Sequence, residues 1–208
     1  MEMKIKSTLA AFFVLSGLMA QLPETFDKVA PFNEGMAAVQ KGDEWAFIND
    51  SGALAIDFRK DVHWNMQAKK HSNGIHAIEY PHFSDGLCMV MTYVEDIPLY
   101  GFINPKGELA IEHQFLNVNP FKDGYTIGIV YEKVLRGQNE FKLNIYEYKF
   151  HEVLMDTSGD IVKFLRRRYN IQMRKDRYKV PMINSKLLNN QLIAVKTDNE
   201  WQIQKIDL

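Results

Sequence analysis

The pattern of apolar and polar positions divides this chain into one unbroken apolar run and many short alternating ones. The unbroken run extends from Leu9 to Ala20, interrupted only by Ser16 and Gly17 and preceded by Lys4 and Lys6. It is too short to cross a bilayer, which takes roughly 20 residues. A basic start, a short hydrophobic stretch and a small residue before the break are the three zones of an export signal, so residues 1–20 are expected to direct secretion. The alternative is a first strand or helix of the core, in which Phe12, Phe13 and Val14 would serve. No cysteine closes the run, which argues against lipid attachment. Beyond it the apolar residues come in fours, such as Met36-Ala37-Ala38-Val39 and Trp45-Ala46-Phe47-Ile48, separated by turn-forming residues. Short runs bounded by Gly, Asn, Asp and Pro predict strands and hairpins throughout.

The turns are periodic. Phe32-x-Glu34-Gly35 recurs as Phe83-x-Asp85-Gly86 and as Phe121-x-Asp123-Gly124. A second signature follows each copy: Ile48-Asn49-Asp50-Ser51-Gly52, Ile103-Asn104-Pro105-Lys106-Gly107 and Met155-Asp156-Thr157-Ser158-Gly159. These read as type I turns closing on a glycine at positive φ, with Pro105 where a fixed φ belongs, so each joins two strands. The end of the chain holds a degraded fourth copy: Leu188 stands seven positions before Val195, as Phe32 does before Val39, and Trp201 lies six after, as Trp45 does. Each unit is then a small three-stranded piece that cannot form a core alone, and stacking of neighbours supplies one.

These residues resemble the WG-repeat family of bacterial proteins, whose tandem units carry Phe-x-x-Gly, then Trp-Gly, then Ile-Asp-x-x-Gly. Here the Trp-Gly pair stands as Trp45-Ala46, Tyr100-Gly101 and Trp201-Gln202, so the likeness rests on the whole pattern in register. The resemblance implies an all-β repeat scaffold for interactions and brings no catalytic residues with it. The units fall at about 26–60, 77–113, 115–160 and 187–205 of a single domain covering 21–208. An open, curved stack of hairpins is expected, with closure into a small propeller-like ring as the alternative. Phe32, Gly35, Trp45, Gly52, Phe83, Gly86, Gly101, Gly107, Phe121, Gly124, Gly159 and Trp201 are the residues assigned to the repeat itself. Glu34, Asp85 and Asp123 recur once per unit beside a turn glycine, which suits capping and places them at equivalent points rather than around one substrate.

Composition narrows the partners. With 25 basic and 26 acidic side chains the formal net charge is −1, which gives no global attraction to nucleic acid or anionic lipid. The +7 concentrated over residues 163–179 qualifies that balance. Tyr169 and Tyr178 interleave this stretch, yet no nucleic-acid motif surrounds it, and its apolar members show that it also packs. A solvated basic face is one reading. The other is a site for an anionic glycan, glycolipid or acidic protein, formed by Arg166, Arg167, Arg168, Tyr169, Arg174 and Lys175 with Trp64. No nucleic-acid partner is expected, and no transmembrane anchor remains once the signal is removed. Cys88 is the single cysteine, so no disulfide framework exists; it stands where the first unit has Ala37 and reads as a small buried hydrophobe.

His63, His71, His76 and His82 fall within twenty residues, with Glu79 among them. His71, His76 and His82 are the candidate metal ligands, although no pair has the spacing that aligns two rings on one face. No nucleophile elbow, phosphate loop or His-Glu-x-x-His is present. The expected function is therefore a non-catalytic module, without cofactor, that binds protein or glycan in the cell envelope. The periplasm, outer membrane or exterior is its place if the signal holds, and the cytoplasm otherwise. The alternatives are a metal-dependent hydrolase centred on residues 63–82 and a purely structural envelope component. Interruptions of the repeat, at 59–76, 91–98 and 131–154, are the places to look for function. In the last, the alternation switches phase between Ile145 and Tyr146, which predicts a β-bulge.

Overall fold

The computed structural model describes residues 25–63, 80–198 and 200–206. Residues 1–20, expected to direct export, and Trp64, His71, His76 and Glu79 lie outside them. The described chain is all-β and antiparallel. Strands β1 (Lys28–Val29), β2 (Met36–Lys41), β3 (Glu44–Asn49) and β4 (Leu54–Arg59) form a first sheet in sequence order. A second holds β5 (Cys88–Val94), β6 (Ile97–Ile103), β7 (Leu109–Val118), β8 (Tyr125–Gln138), β9 (Asn144–Asp156) and β10 (Ile161–Arg168), again consecutive. A third contains β11 (Ser185–Asn189), β12 (Leu192–Thr197) and β13 (Glu200–Lys205). Among the described residues no sheet closes into a barrel, which agrees with an open repeat array.

Both turn signatures take the geometry their residues dictate. In Phe-x-acid-Gly the acid and the glycine both sit at positive φ: Glu34 at 50° and Gly35 at 77°, with matching values at Asp85–Gly86 and Asp123–Gly124. Two consecutive left-handed residues make a tight turn whose twist suits a hairpin, closed by Asn33↔Met36, Ser84↔Leu87 and Lys122↔Tyr125. In the second signature the asparagine or aspartate side chain accepts backbone N–H groups two and four residues on, as Asn49 does from Ser51 and Ala53, each at 3.0 Å. Gly52, Gly107 and Gly159 then carry the positive φ that returns the chain.

The units join more closely than three-stranded pieces in contact would. The C-terminal half of β7 pairs with β8 through Phe115↔Val130 and Val118↔Gly128, so one strand serves two units. Between the first and second units the same join shrinks to a Val62↔Val90 bridge. Packing is equally periodic. Phe83 of the second unit meets Phe47 of the first edge-on at 5.0 Å, and Phe121 of the third meets Phe102 of the second at 4.8 Å. Ile56 lies under Gly107, and Ile111, its counterpart, lies under Gly159. Each unit therefore completes the core of the one before it.

Two repeat residues differ from the rest. Phe32 is 53% exposed where Phe83 and Phe121 are 1%, because no described unit precedes it with a phenylalanine to receive its ring. Trp201 is 48% exposed where Trp45 is 5%, because no described unit covers its face. The fourth copy is also reset by one residue: the register slips between Leu187 and Asn189, so Leu187 packs inward while Leu188 points out.

Candidate binding surface

A ladder of hydrogen bonds along one edge links the Phe-x-acid-Gly turns. The Glu34 carboxylate accepts the backbone N–H groups of Asp85 and Gly86 at 2.8 and 2.9 Å. Asp85 in turn accepts the N–H of Gly124 at 2.8 Å. The residue before each acid reaches the same way: Asn33 donates to the Phe83 carbonyl, and Ser84 to that of Phe121 at 2.5 Å. These acids cap the neighbouring unit's turn rather than their own, which makes them structural. On the other flank Arg59 grips Asp61 with two bonds, at 2.6 and 2.7 Å, and gives a third to the Gly107 carbonyl. Burial pushes the Asp61 carboxyl up, but the hydrogen bond and charge of Arg59 outweigh it and hold it below the usual range.

The basic stretch separates by alternation along β10, an edge strand. Arg168 donates to Glu152, a fully buried carboxylate, at 2.7 Å and to the Met182 carbonyl at 2.6 Å. Glu152 is completed by the N–H of Asn184 at 3.0 Å. Arg166 donates to the Lys196 carbonyl. Arg168 and Glu152 thus hold the segment 169–184, a strap without regular structure, against the sheet, while Arg166 ties β10 to β12. Asn117 donates to Pro181 and Tyr178 to Leu116, while Ile171, Met173, Tyr178 and Ile183 pack on Ile97, Leu99, Leu116 and Ile129. Lys175 pairs with Asp96, and Arg174 with Asp176, both at the surface. Arg167 and Tyr169 remain free at the outer face, the cation 5.3 Å from the ring centre. The structure therefore divides the basic group, with Arg166 and Arg168 committed to the fold.

The histidines do not converge either. His63 has its ring edge-on to Tyr100 at 5.1 Å, and burial pushes it down to about 4. His82 faces the Tyr80 carbonyl at 3.3 Å. Among the described residues no group of three or more His, Cys, Asp or Glu is placed to hold a metal ion. Cys88 is buried, and burial pushes its thiol up to about 12, far from the range of a nucleophile at neutral pH.

The largest departure from the repeat is the third hairpin. The first two units use strands of six or seven residues here, whereas β8 and β9 have 14 and 13. Beyond Val130 and Phe150 neither outer edge of this ribbon is paired. A bulge lies at the level of the phase switch, but on the facing strand: Leu135 pairs Tyr146 and Gly137 pairs Ile145, leaving Arg136 as the extra residue. One face of the ribbon carries Tyr131, Lys133, Leu135, Tyr146, Tyr148 and Phe150. Tyr148 stacks on Phe150 at 6.2 Å, and the Lys133 ammonium lies 4.7 Å from the Tyr146 ring centre while pairing Glu95 at 2.9 Å. The opposite face is charged, with Arg136–Glu147 and Lys149–Glu132 pairs. At the tip Phe141 is 82% exposed, with Leu143 and Ile145 exposed toward it and Leu135 exposed on the aromatic face. Composition and motif spacing pass over this surface, because its residues read as ordinary strand formers; only the excess strand length in one unit signals it.

A separate cleft of about 510 Å³ lies between the third turn and β11, lined by Phe121, Lys122, Tyr125, Ile127, Lys186 and Leu187 among others.

The family model described as WG containing repeat matches residues 23–45 and 100–127, that is, the first unit's opening and the second-to-third junction. Comparison with curated proteins and with solved structures gives no match.

Proposed function

We propose that this chain, whose units are repeats of the WG type, is a non-catalytic module that binds protein or glycan in the bacterial cell envelope through the β8–β9 ribbon. The observation that carries this reading is the placement of apolar side chains. An isolated two-stranded ribbon is marginal in water, and this one leaves Phe141, Leu143 and Ile145 exposed toward its end and Leu135 exposed on the opposite face. Burying such side chains is worth about 1.5–3 kcal/mol each. Large apolar side chains left in water on both faces of one projecting ribbon support an interaction site there. The stack supplies a rigid base: β9 is paired on both sides up to Phe150, and its Glu152 anchors the strap. Arg167 and Tyr169 stand near the ribbon's root and would meet an acidic partner or an anionic sugar.

The test is a photo-cross-linking amino acid at Phe141 in native cells, with a second probe at exposed Lys106 as control. Specific adducts at Phe141 in the envelope fraction, lost in a Leu135→Ser/Leu143→Ser variant, are expected for a protein partner. For a glycan, array binding that the same variant loses is expected. A folded protein giving neither result, or one confined to the cytoplasm, would overturn the proposal.

A further inference from the structure

The turn ladder has two unmatched ends, and they complement each other. At its acceptor end stands Asp123, equivalent to Glu34 and Asp85. Those two carboxylates each cap the next unit's turn, whereas Asp123 has no hydrogen-bond partner among the described residues. The reason is the reset of the fourth copy, whose turn at Asn190–Gln191 lacks the left-handed pair and closes on the Asn189 side chain instead. Next to this turn, bordered by Lys122 rather than by Asp123 itself, is the cleft of about 510 Å³, lined also by Phe121, Tyr125, Ile127, Lys186 and Leu187. At the donor end stands the first turn, Phe32-Asn33-Glu34-Gly35, exposed along its whole length. The backbone N–H groups of Glu34 and Gly35 have no acceptor among the described residues, while their counterparts at Asp85, Gly86 and Gly124 are all bonded. Phe32 is exposed where its two counterparts are buried against the preceding unit.

We infer that the partner of this cleft is a second copy of the chain, docked head to tail. Phe32 of one copy enters the cleft of the next, and Asp123 caps the N–H groups of the incoming Glu34–Gly35 turn. The contact uses the two groups that already link the first turn to the second and the second to the third, a phenylalanine and a capping carboxylate. Leu154, the third unit's counterpart of Phe47 and Phe102, is already covered by Ile193 and Val195 of the fourth copy, so Phe32 meets Phe121, Ile127 and Leu187 instead. It goes beyond the binding function proposed above and does not use the ribbon. Because the two surfaces differ, the interface is heterologous and each added copy leaves one of each end free, so assembly continues into a ring or filament.

Sedimentation of the full chain from about 1 μM to about 1 mM tests this. The wild type is expected to grow into species larger than dimers as concentration rises. Phe32→Ser removes the donor end and Asp123→Asn weakens the acceptor; both positions are exposed, so unfolding midpoints should stay within about 2 °C of wild type. Each variant alone should associate at least tenfold more weakly. An equimolar mixture of the two should form heterodimers that grow no further, since one intact end remains on each. A wild type that stays monomeric throughout, variants that associate like it, or a mixture that forms no complex would each overturn the inference.

Discussion

Gly101 offers the sharpest test of the packing argument, because its neighbours are backbone. It holds the glycine place of the Trp-Gly pair, next to buried Tyr100, and its φ is not left-handed, so conformational freedom is not why it is there. Space is the reason. A Cβ at Gly101 would stand 2.6 Å from the Ile111 carbonyl oxygen and 3.0 Å from the His113 nitrogen. Ordinary C···O approaches are about 3.3–3.6 Å, so the β7 backbone would have to withdraw by most of an ångström. That backbone cannot withdraw freely: Ile111 and Phe115 are pinned to β6 by Phe102↔Ile111 and Tyr100↔Phe115 and are buried in the central cluster. Overpacking of this kind typically costs about 1–3 kcal/mol, and the rigid neighbours put Gly101→Ala at about 2–4 kcal/mol. At about 2–4 °C per kcal/mol for a chain this size, the thermal midpoint should fall by roughly 4–16 °C. The first unit is the built-in control. Ala46 stands at the same place, and only one extra residue separates the flanking pairs on β4, against two on β7, so the backbone there does not press over it. Ala46→Gly should cost no more than about 1 kcal/mol. Urea and thermal unfolding of both variants decide the matter; a Gly101→Ala protein within about 0.5 kcal/mol of wild type would refute the close-approach account.

Three further outcomes follow from the same geometry. Glu34→Ala strips two backbone N–H groups of their shared acceptor and should lower stability by about 1–2 kcal/mol, while Asp123→Ala, measured dilute, should change it by less than about 0.5, as read by urea midpoints. Glu152→Ala leaves the Arg168 guanidinium half-buried without its carboxylate and should cost about 3–5 kcal/mol, whereas Glu152→Leu with Arg168→Met should recover most of it. His63, held near 4 in the fold against about 6.5 unfolded, is neutral when native, so its contribution is complete above pH 6.5 and is lost as pH falls from there toward 4. Discounting for the ring's remaining exposure, the loss is about 2–3 kcal/mol, and His63→Phe should flatten the stability–pH curve over that window.

Residues whose role is set by neighbours in sequence were legible, and residues whose role is set by neighbouring units were less so. The acid–glycine turns and the Asx-type turns announce themselves locally, because left-handed φ values and side-chain capping select a few residue types. The strand order follows from them. Neither acid's true recipient could be read, since Glu34 bonds a turn 51 residues away. The basic stretch misled in part for the same reason. Its charges are adjacent in sequence, but β10 sends alternate side chains in opposite directions, and buried Glu152 on the neighbouring strand claims Arg168. The interruption at 131–154 and the phase switch at Tyr146 pointed to the ribbon, but which of its residues stay exposed, such as Leu135, gave no signal, because an exposed strand residue and a core one have the same composition.

The two edges of the array are under different physical constraints, which accounts for where the repeat varies. On one edge the Phe-x-acid-Gly turns are bonded to one another, so lengthening any of them would break a capping contact and displace a buried phenylalanine. On the other, the hairpin ends at Gly42, at Glu95–Asp96 and at Asn139–Lys142 make no turn-to-turn bonds of this kind, so strand pairs can grow outward without disturbing the stack. The third unit does so, carrying its ladder of pairs from Val130↔His151 out to Gln138↔Asn144. New surface is therefore added at the free edge, and coupling between units is kept at the bonded one. The ladder is also where the stack could extend beyond a single chain. Its spacing is satisfied from Glu34 to Gly124 and then stops at Asp123, a carboxylate with no group to cap among the described residues, in the turn whose Lys122 borders the cleft.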